Sequence, residues 1–252
     1  MLASSRQWQD PPHTIELSSK EVHVWCAEIS VLSSGSAIFY NILTLDERKR
    51  ADQFKFEKDR KYFITSRGVL KKILGLYLKT EAKKINLSYN PYGKPYLSAY
   101  NTSNPLYFNL SHSGDLALYI FSHSYEVGID VEKIHHIEDF LDIAQQFFSK
   151  QEFYNLSSNP AHKQLECFFK CWTRKEAFIK AVGDGLSYPL DQFEVSLTPD
   201  EPAKLLNIQG NTILAKAWSL YSIIPAYNYE ASFIFKGKSD NLKFFKFDMT
   251  SM

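Results

Sequence analysis

The feature that most constrains this chain is a pattern that occurs twice. Val22-His23-Val24-Trp25-Cys26-Ala27-Glu28-Ile29 alternates and is β-branched early, which reads as a half-buried strand. Thr44-Leu45-Asp46-Glu47 follows with the spacing of a capping box, in which the hydroxyl and the glutamate each satisfy a backbone N–H left free at a helix start. Both features recur 105 residues later: Val127 opens a second alternating segment, and Ser149-Lys150-Gln151-Glu152 is a second box. A long helical pattern follows each box, from about Lys58 to Leu78 and from Asn159-Pro160 to Gly183, and short strands close each half. Equal offsets for two independent features imply two copies of one unit. The expected fold class is α+β: two similar lobes, each a long helix packed on a small, mainly antiparallel sheet, related by a pseudo-two-fold. The expected boundaries are a flexible leader at 1–19, an N-terminal lobe at 20–123 and a C-terminal lobe at 124–252.

A net charge of +1 provides no field for nucleic acid or an anionic membrane, so neither is expected as a partner, and any anion site must be built locally. No apolar run approaches the roughly 20 residues that span a bilayer. Met1 to Trp8 lacks the apolar core of a signal peptide. Cys26, Cys167 and Cys171 cannot all pair, which points to a reducing cytoplasm. Cys167 and Cys171 lie one helical turn apart near His162, but a fourth zinc ligand is missing, so buried helix cysteines are the better reading.

Asp130 and Glu132 are two apart on a strand, so their carboxylates leave one face about 6.6 Å apart while Ile129 and Val131 anchor the other. Alone, this is equally an edge strand with a solvated acidic face. Gly128 beside them permits close approach of another backbone or a ligand. Trp172, Glu176 and Lys180 are spaced by four on the second long helix. An ordinary Glu–Lys surface pair has that spacing too, but Trp172 on the same stripe implies burial. If Glu176 meets Asp130 and Glu132, only a hard divalent cation, Mg²⁺ or Mn²⁺, makes the trio stable. Ser111-His112-Ser113-Gly114 leaves room for donors to face an anion, and Lys94 sits in the rigid turn Asn90-Pro91-Tyr92-Gly93-Lys94-Pro95. Arg60 and Arg67 share a face of the first long helix, while Arg48-Lys49-Arg50 reads equally as a wet helix face.

Taken together, Gly128-Ile129-Asp130-Val131-Glu132 and, about 40 residues on, Trp172-Thr173-Arg174-Lys175-Glu176-Ala177-Phe178-Ile179-Lys180 resemble the paired signature of the 4′-phosphopantetheinyl transferase superfamily. Tyr92-Gly93-Lys94-Pro95 and Phe108-Asn109-Leu110-Ser111-His112-Ser113-Gly114 resemble two further motifs of its surfactin-type, single-chain pseudodimeric branch. The resemblance implies Mg²⁺-dependent transfer of the 4′-phosphopantetheine group of coenzyme A to a serine of an apo acyl or peptidyl carrier protein, releasing adenosine 3′,5′-bisphosphate. It implies Asp130, Glu132 and Glu176 as metal ligands and Glu176 and Lys180 as catalytic residues. It also implies Arg48, Arg60, Arg67, Lys94, Ser111, His112, Lys175 and Lys180 as coenzyme A contacts, in a protein expected to be a monomer. Two other classes remain open at this point: a metal-dependent phosphohydrolase using the same carboxylates, and a non-catalytic coenzyme A-binding or carrier-docking module.

Overall fold

A computed structural model describes residues 8–97, 104–197 and 201–249 and has the expected α+β character. Its strands, in chain order, are β1 (Glu21–Glu28), β2 (Ser88–Tyr89), β3 (Pro95–Tyr96), β4 (Tyr107–Ser113), β5 (Leu116–Ser122), β6 (Val127–Lys133), β7 (Phe193–Val195), β8 (Leu205–Ile208), β9 (Trp218–Ile223), β10 (Tyr229–Lys236) and β11 (Asn241–Lys246). One sheet has the order β11-β1-β5-β4 and the other β6-β10-β9, with β2–β3 and β7–β8 as small pairs. Strand for strand, β1, β5 and β4 repeat as β6, β10 and β9. The two long helices, Glu57–Leu78 and Ala161–Val182, are each 22 residues long.

Both capping boxes form, with the Thr44 and Ser149 hydroxyls accepting from the backbone N–H of Glu47 and Glu152 and each glutamate returning the bond. The helix begun by each box is short, and the long helix starts a few residues after it. Both glutamates have a second task. Glu47 Oε2 lies 3.1 Å from Lys71 Nζ, and Glu152 Oε2 lies 2.8 Å from Lys175 Nζ. Lys71 and Lys175 are the fifteenth residues of their helices and are fully buried, so each box is tied to its long helix by one interior ion pair.

The alternation of the strands sorts side chains between two destinations. Trp25 and Ala27 of β1 face the first long helix, while Val22, Val24 and Cys26 point the other way. There they meet Ile129 and Val131 of β6 and Phe233 and Phe235 of β10, so the two sheets pack back to back. Each large side chain buried in this way contributes about 2 kcal/mol.

Two expectations need correction. The leader is not loose throughout: Gln9 bridges to Phe245, Trp8 meets Phe244 edge-on at 5.7 Å, and Ile15 is buried, while residues 1–7 lie outside those described. The C-terminal segment does not stay with the second half, because β11 pairs in parallel with β1 in register from Glu21↔Asn241 to Cys26↔Lys246. Without β11, β1 would be an edge strand with free backbone groups.

Candidate functional site

The halves meet where β4 runs beside β6. Among the described residues no backbone pairing joins β4 to β6; side chains at alternate positions of β4 do. Asn109 Oδ1 accepts from the Ile129 backbone N–H at 3.0 Å, Ser111 Oγ donates to Asp130 Oδ1 at 2.8 Å, and Ser113 Oγ donates to Glu132 Oε2 at 2.7 Å. The second long helix lies directly on β6 because residue 128 is glycine: a Cβ there would come within 2.0 Å of the Ala177 carbonyl oxygen. That contact places Glu176 and Lys180 over the acidic strand.

The result is a cleft of about 750 Å³ lined by Asp130, Glu132, Glu176 and Lys180 on one side and by Arg67, Arg50 and His112 on the other. Asp130 is only 2% exposed. Its Oδ1 holds Lys180 Nζ at 2.6 Å, and its Oδ2 has no hydrogen-bond partner. Burial pulls the Lys180 ammonium down, but Asp130, ahead of Glu176 and Glu132, leaves it above its ordinary value. Burial first, then Asp130 and Glu132, pushes Glu176 up to about 7, with Lys180 opposing. Burial and Asp130 likewise raise Glu132. Among the described residues, no three His, Cys, Asp or Glu side chains are gathered closely enough to form a ready metal cage. The three carboxylates nevertheless line one wall, repel one another, and include a buried oxygen without a partner. That donor set suits a hard divalent cation.

On the opposite wall Arg67 is 6% exposed, with Nε 3.9 Å from Glu47 Oε1 and both Nε and Nη1 lacking hydrogen-bond partners. Its guanidinium is 5.7 Å from the rings of both Phe63 and Tyr89. A buried guanidinium with unused donors facing a cleft is a built anion site. His112 opens into the same space, where desolvation, then Lys180 and Arg67, holds its imidazole below the ordinary value. Lys94 lines the cleft but also acts as a clasp: its Nζ donates to the carbonyls of Ala181 at 2.8 Å and Val127 at 3.3 Å, and Asn90 Nδ2 donates to Gly183 O at 2.7 Å. The turn of the first half thereby grips the C-terminal end of the second half's helix. Burial brings the Lys94 ammonium down to about 8.

Three of the expected coenzyme A contacts do not reach the cleft. Lys175 is 0% exposed, and beyond Glu152 its ammonium donates to the carbonyls of Leu190 and Phe193 at 2.7 and 2.8 Å. It is one residue from Glu176, and the turn of roughly 100° per residue sends it to a different side of the helix. Arg60 pairs with Asp52 at 3.1 Å; seven residues of rise, about 10 Å, separate it from Arg67 on the same face. Arg48 stacks over Tyr40 at 4.7 Å and donates to Asn41 O. Its neighbour Arg50, two positions and about 200° away, lines the cleft instead. Ser111 is in place, but its hydroxyl bridges Asp130 and Lys180, so it orients the acidic wall. The basic run 48–50 was the available signal for Arg50; which of its members faces inward is a matter of helix docking.

Residues 126–232 match the 4′-phosphopantetheinyl transferase superfamily, and residues 33–123 match the 4′-phosphopantetheinyl transferase N-terminal family. The chain is 36% identical to 4′-phosphopantetheinyl transferase HetI of Nostoc sp. over 240 residues, which is 95% of this chain and 98% of that one. It is 34% identical over 187 residues to the psf-1 transferase of Bacillus pumilus, covering 73% and 76% of the two chains. Identity to the Sfp transferase of Bacillus subtilis is 32% over 162 residues, covering 64% and 70%. The chain belongs to the 4′-phosphopantetheinyl transferase superfamily, and within it to the surfactin-type, single-chain branch of these enzymes.

Proposed function

We propose that this enzyme moves the 4′-phosphopantetheine group of coenzyme A onto a serine hydroxyl of an apo acyl or peptidyl carrier protein. The observation that carries the reading is the pairing, in one cleft, of a carboxylate wall around Asp130 with a buried Arg67 whose donors are unused. The first half binds the nucleotide end: Arg67, Arg50 and His112 receive the 3′-phosphate, and Tyr89, Tyr92 and Phe63 flank the base. The second half binds the pyrophosphate, with Lys180, already held by Asp130 and Ser111, donating to it.

Asp130, Glu132 and Glu176 would hold Mg²⁺, or Mn²⁺ in its place. When bound, such an ion neutralises the pyrophosphate and lowers the charge on the departing phosphate. Glu176, directly or through a water, accepts the serine proton. The serine oxygen bonds to the phosphorus next to pantetheine, the bridging P–O bond breaks, and adenosine 3′,5′-bisphosphate leaves. The expected setting is a monomer in a reducing cytoplasm.

The test is to incubate the chain with coenzyme A, Mg²⁺ and an apo carrier protein, then weigh the carrier. A gain of one phosphopantetheine that EDTA prevents and Mg²⁺ restores supports the reading. Hydrolysed coenzyme A beside an unchanged carrier would indicate a phosphohydrolase, and coenzyme A bound but intact would indicate a binding module.

A further inference from the structure

A second cavity, larger than the cleft, lies elsewhere in the molecule. It measures about 990 Å³ and opens in the second half, between the other flank of helix Ala161–Val182 and strand β9. Its origin lies in the duplication. β9 stands to β10 and β6 as β4 stands to β5 and β1. Cys167 and Lys170 on its wall take the helix positions of Phe63 and Ser66 in the cleft, 104 residues earlier. In the cleft β4 runs beside β6, but the matching edge of β1 carries β11, and β9 remains the last strand of its sheet. The cavity is the second half's copy of one cleft wall, left without a facing half.

Two opposite charges on its wall make no direct ion pair among the described residues. Arg174 is 6% exposed and donates from Nε to Ser222 Oγ at 3.0 Å and from Nη1 to Ser196 O, both neutral acceptors. Among the described residues no carboxylate pairs with it. Glu230 is 3% exposed; its backbone lies in register with Glu132 of β6, but its carboxylate makes no hydrogen bond or ion pair among the described residues. The cation that most lowers its carboxyl, Lys170, is committed to Glu166 at 2.5 Å. Arg174 and Glu230 act on each other only through space, with no ion pair between them, so a group carrying both charges can bridge them. Leu197, Leu205, Trp218 and Leu220 supply an apolar wall beside the pair.

We propose that this cavity binds a small zwitterion with an apolar side chain, of the α-amino acid class, its ammonium on Glu230, its carboxylate on Arg174 and its side chain against Trp218. The site is separate from the cleft, and the proposal does not depend on which reaction the cleft performs.

L-Phenylalanine is titrated into the full chain by calorimetry, with indole and arginine Nε resonances followed by NMR. N-acetyl-L-phenylalanine, which lacks the ammonium, and L-phenylalaninamide, which lacks the carboxylate, are titrated alongside. The expected result is saturable binding that shifts a tryptophan indole signal and an arginine Nε signal, with each analogue at least about tenfold weaker. Glu230→Gln should weaken phenylalanine binding by a similar factor and leave coenzyme A binding unchanged. No saturation by about 10 mM, equal binding of all three compounds, or full affinity in Glu230→Gln would each overturn the proposal. The analogue comparison uses the unaltered chain, so it stands even if the variant folds poorly.

Discussion

Replacing Lys175 by Met separates two readings of one motif residue. The resemblance to the family makes it a coenzyme A contact; the structure makes it the buried partner of Glu152. At 2.8 Å and an effective dielectric constant near 20, the gross attraction to Glu152 is about 6 kcal/mol. The carbonyls of Leu190 and Phe193 and the ring of Phe193, 4.3 Å away, solvate the ammonium further. Desolvation offsets much of this, but methionine would strand Glu152, whose side chain is 2% exposed, without a counter-charge. Breaking such a pair costs about 3–5 kcal/mol, a large share of the roughly 5–15 kcal/mol that holds a chain of this size together. Urea unfolding followed by circular dichroism should show that loss, and Lys71→Met should show a comparable one through Glu47. Glu152→Gln combined with Lys175→Met should cost less than the two single changes added together. Coenzyme A affinity of the folded fraction should stay within about twofold. A stability change below about 1 kcal/mol with a tenfold or greater loss of affinity would refute the buried-pair assignment.

Arg67→Met should weaken coenzyme A binding by about 10- to 100-fold, the worth of a charged hydrogen bond, while Arg48→Met should change it by less than about threefold; comparable losses in both would contradict the cleft as drawn. Gly128→Ala should lower stability by about 3 kcal/mol or more and depress transfer activity, because the helix must lift away from the Ala177 contact at 2.0 Å; a wild-type melting temperature would show that helix and strand are not so close. Burial, opposed by Lys170 and Arg174 and aided by Glu166, pushes Glu230 up to about 7, so the folded chain keeps a proton that the unfolded chain gives up from about pH 4.5. Stability therefore falls between those values, and Glu230→Gln should be the more stable by up to about 3 kcal/mol at pH 8 but not at pH 4. Thermal melts at the two pH values decide it, and an equal difference at both would mean the carboxylate is not the strained group.

Local patterns in the chain were sufficient for everything governed by neighbours within a turn or two. Thr44-Leu45-Asp46-Glu47 and Ser149-Lys150-Gln151-Glu152 specify their helix starts because both partners of each bond lie three residues apart. Alternation sends Asp130 and Glu132 to one side of β6 and Ile129 and Val131 to the other. The equal spacing of these signals foretold two related halves, and Gly128 beside the acidic pair foretold a close backbone neighbour. What spacing could not supply was the direction a side chain takes once its helix has docked. Arg48, Arg50, Arg60, Arg67 and Lys175 look interchangeable as letters, yet only Arg50 and Arg67 line the cleft. Rotation of roughly 100° per residue turns a one-residue difference into a different side of the helix. Nor does local pattern foresee β11, because its pairing with β1 joins residues 220 apart, and nothing within either segment encodes the other. That long-range pairing leaves β9 as the last strand of its sheet and, with the packing of the long helices, makes the two halves unequal.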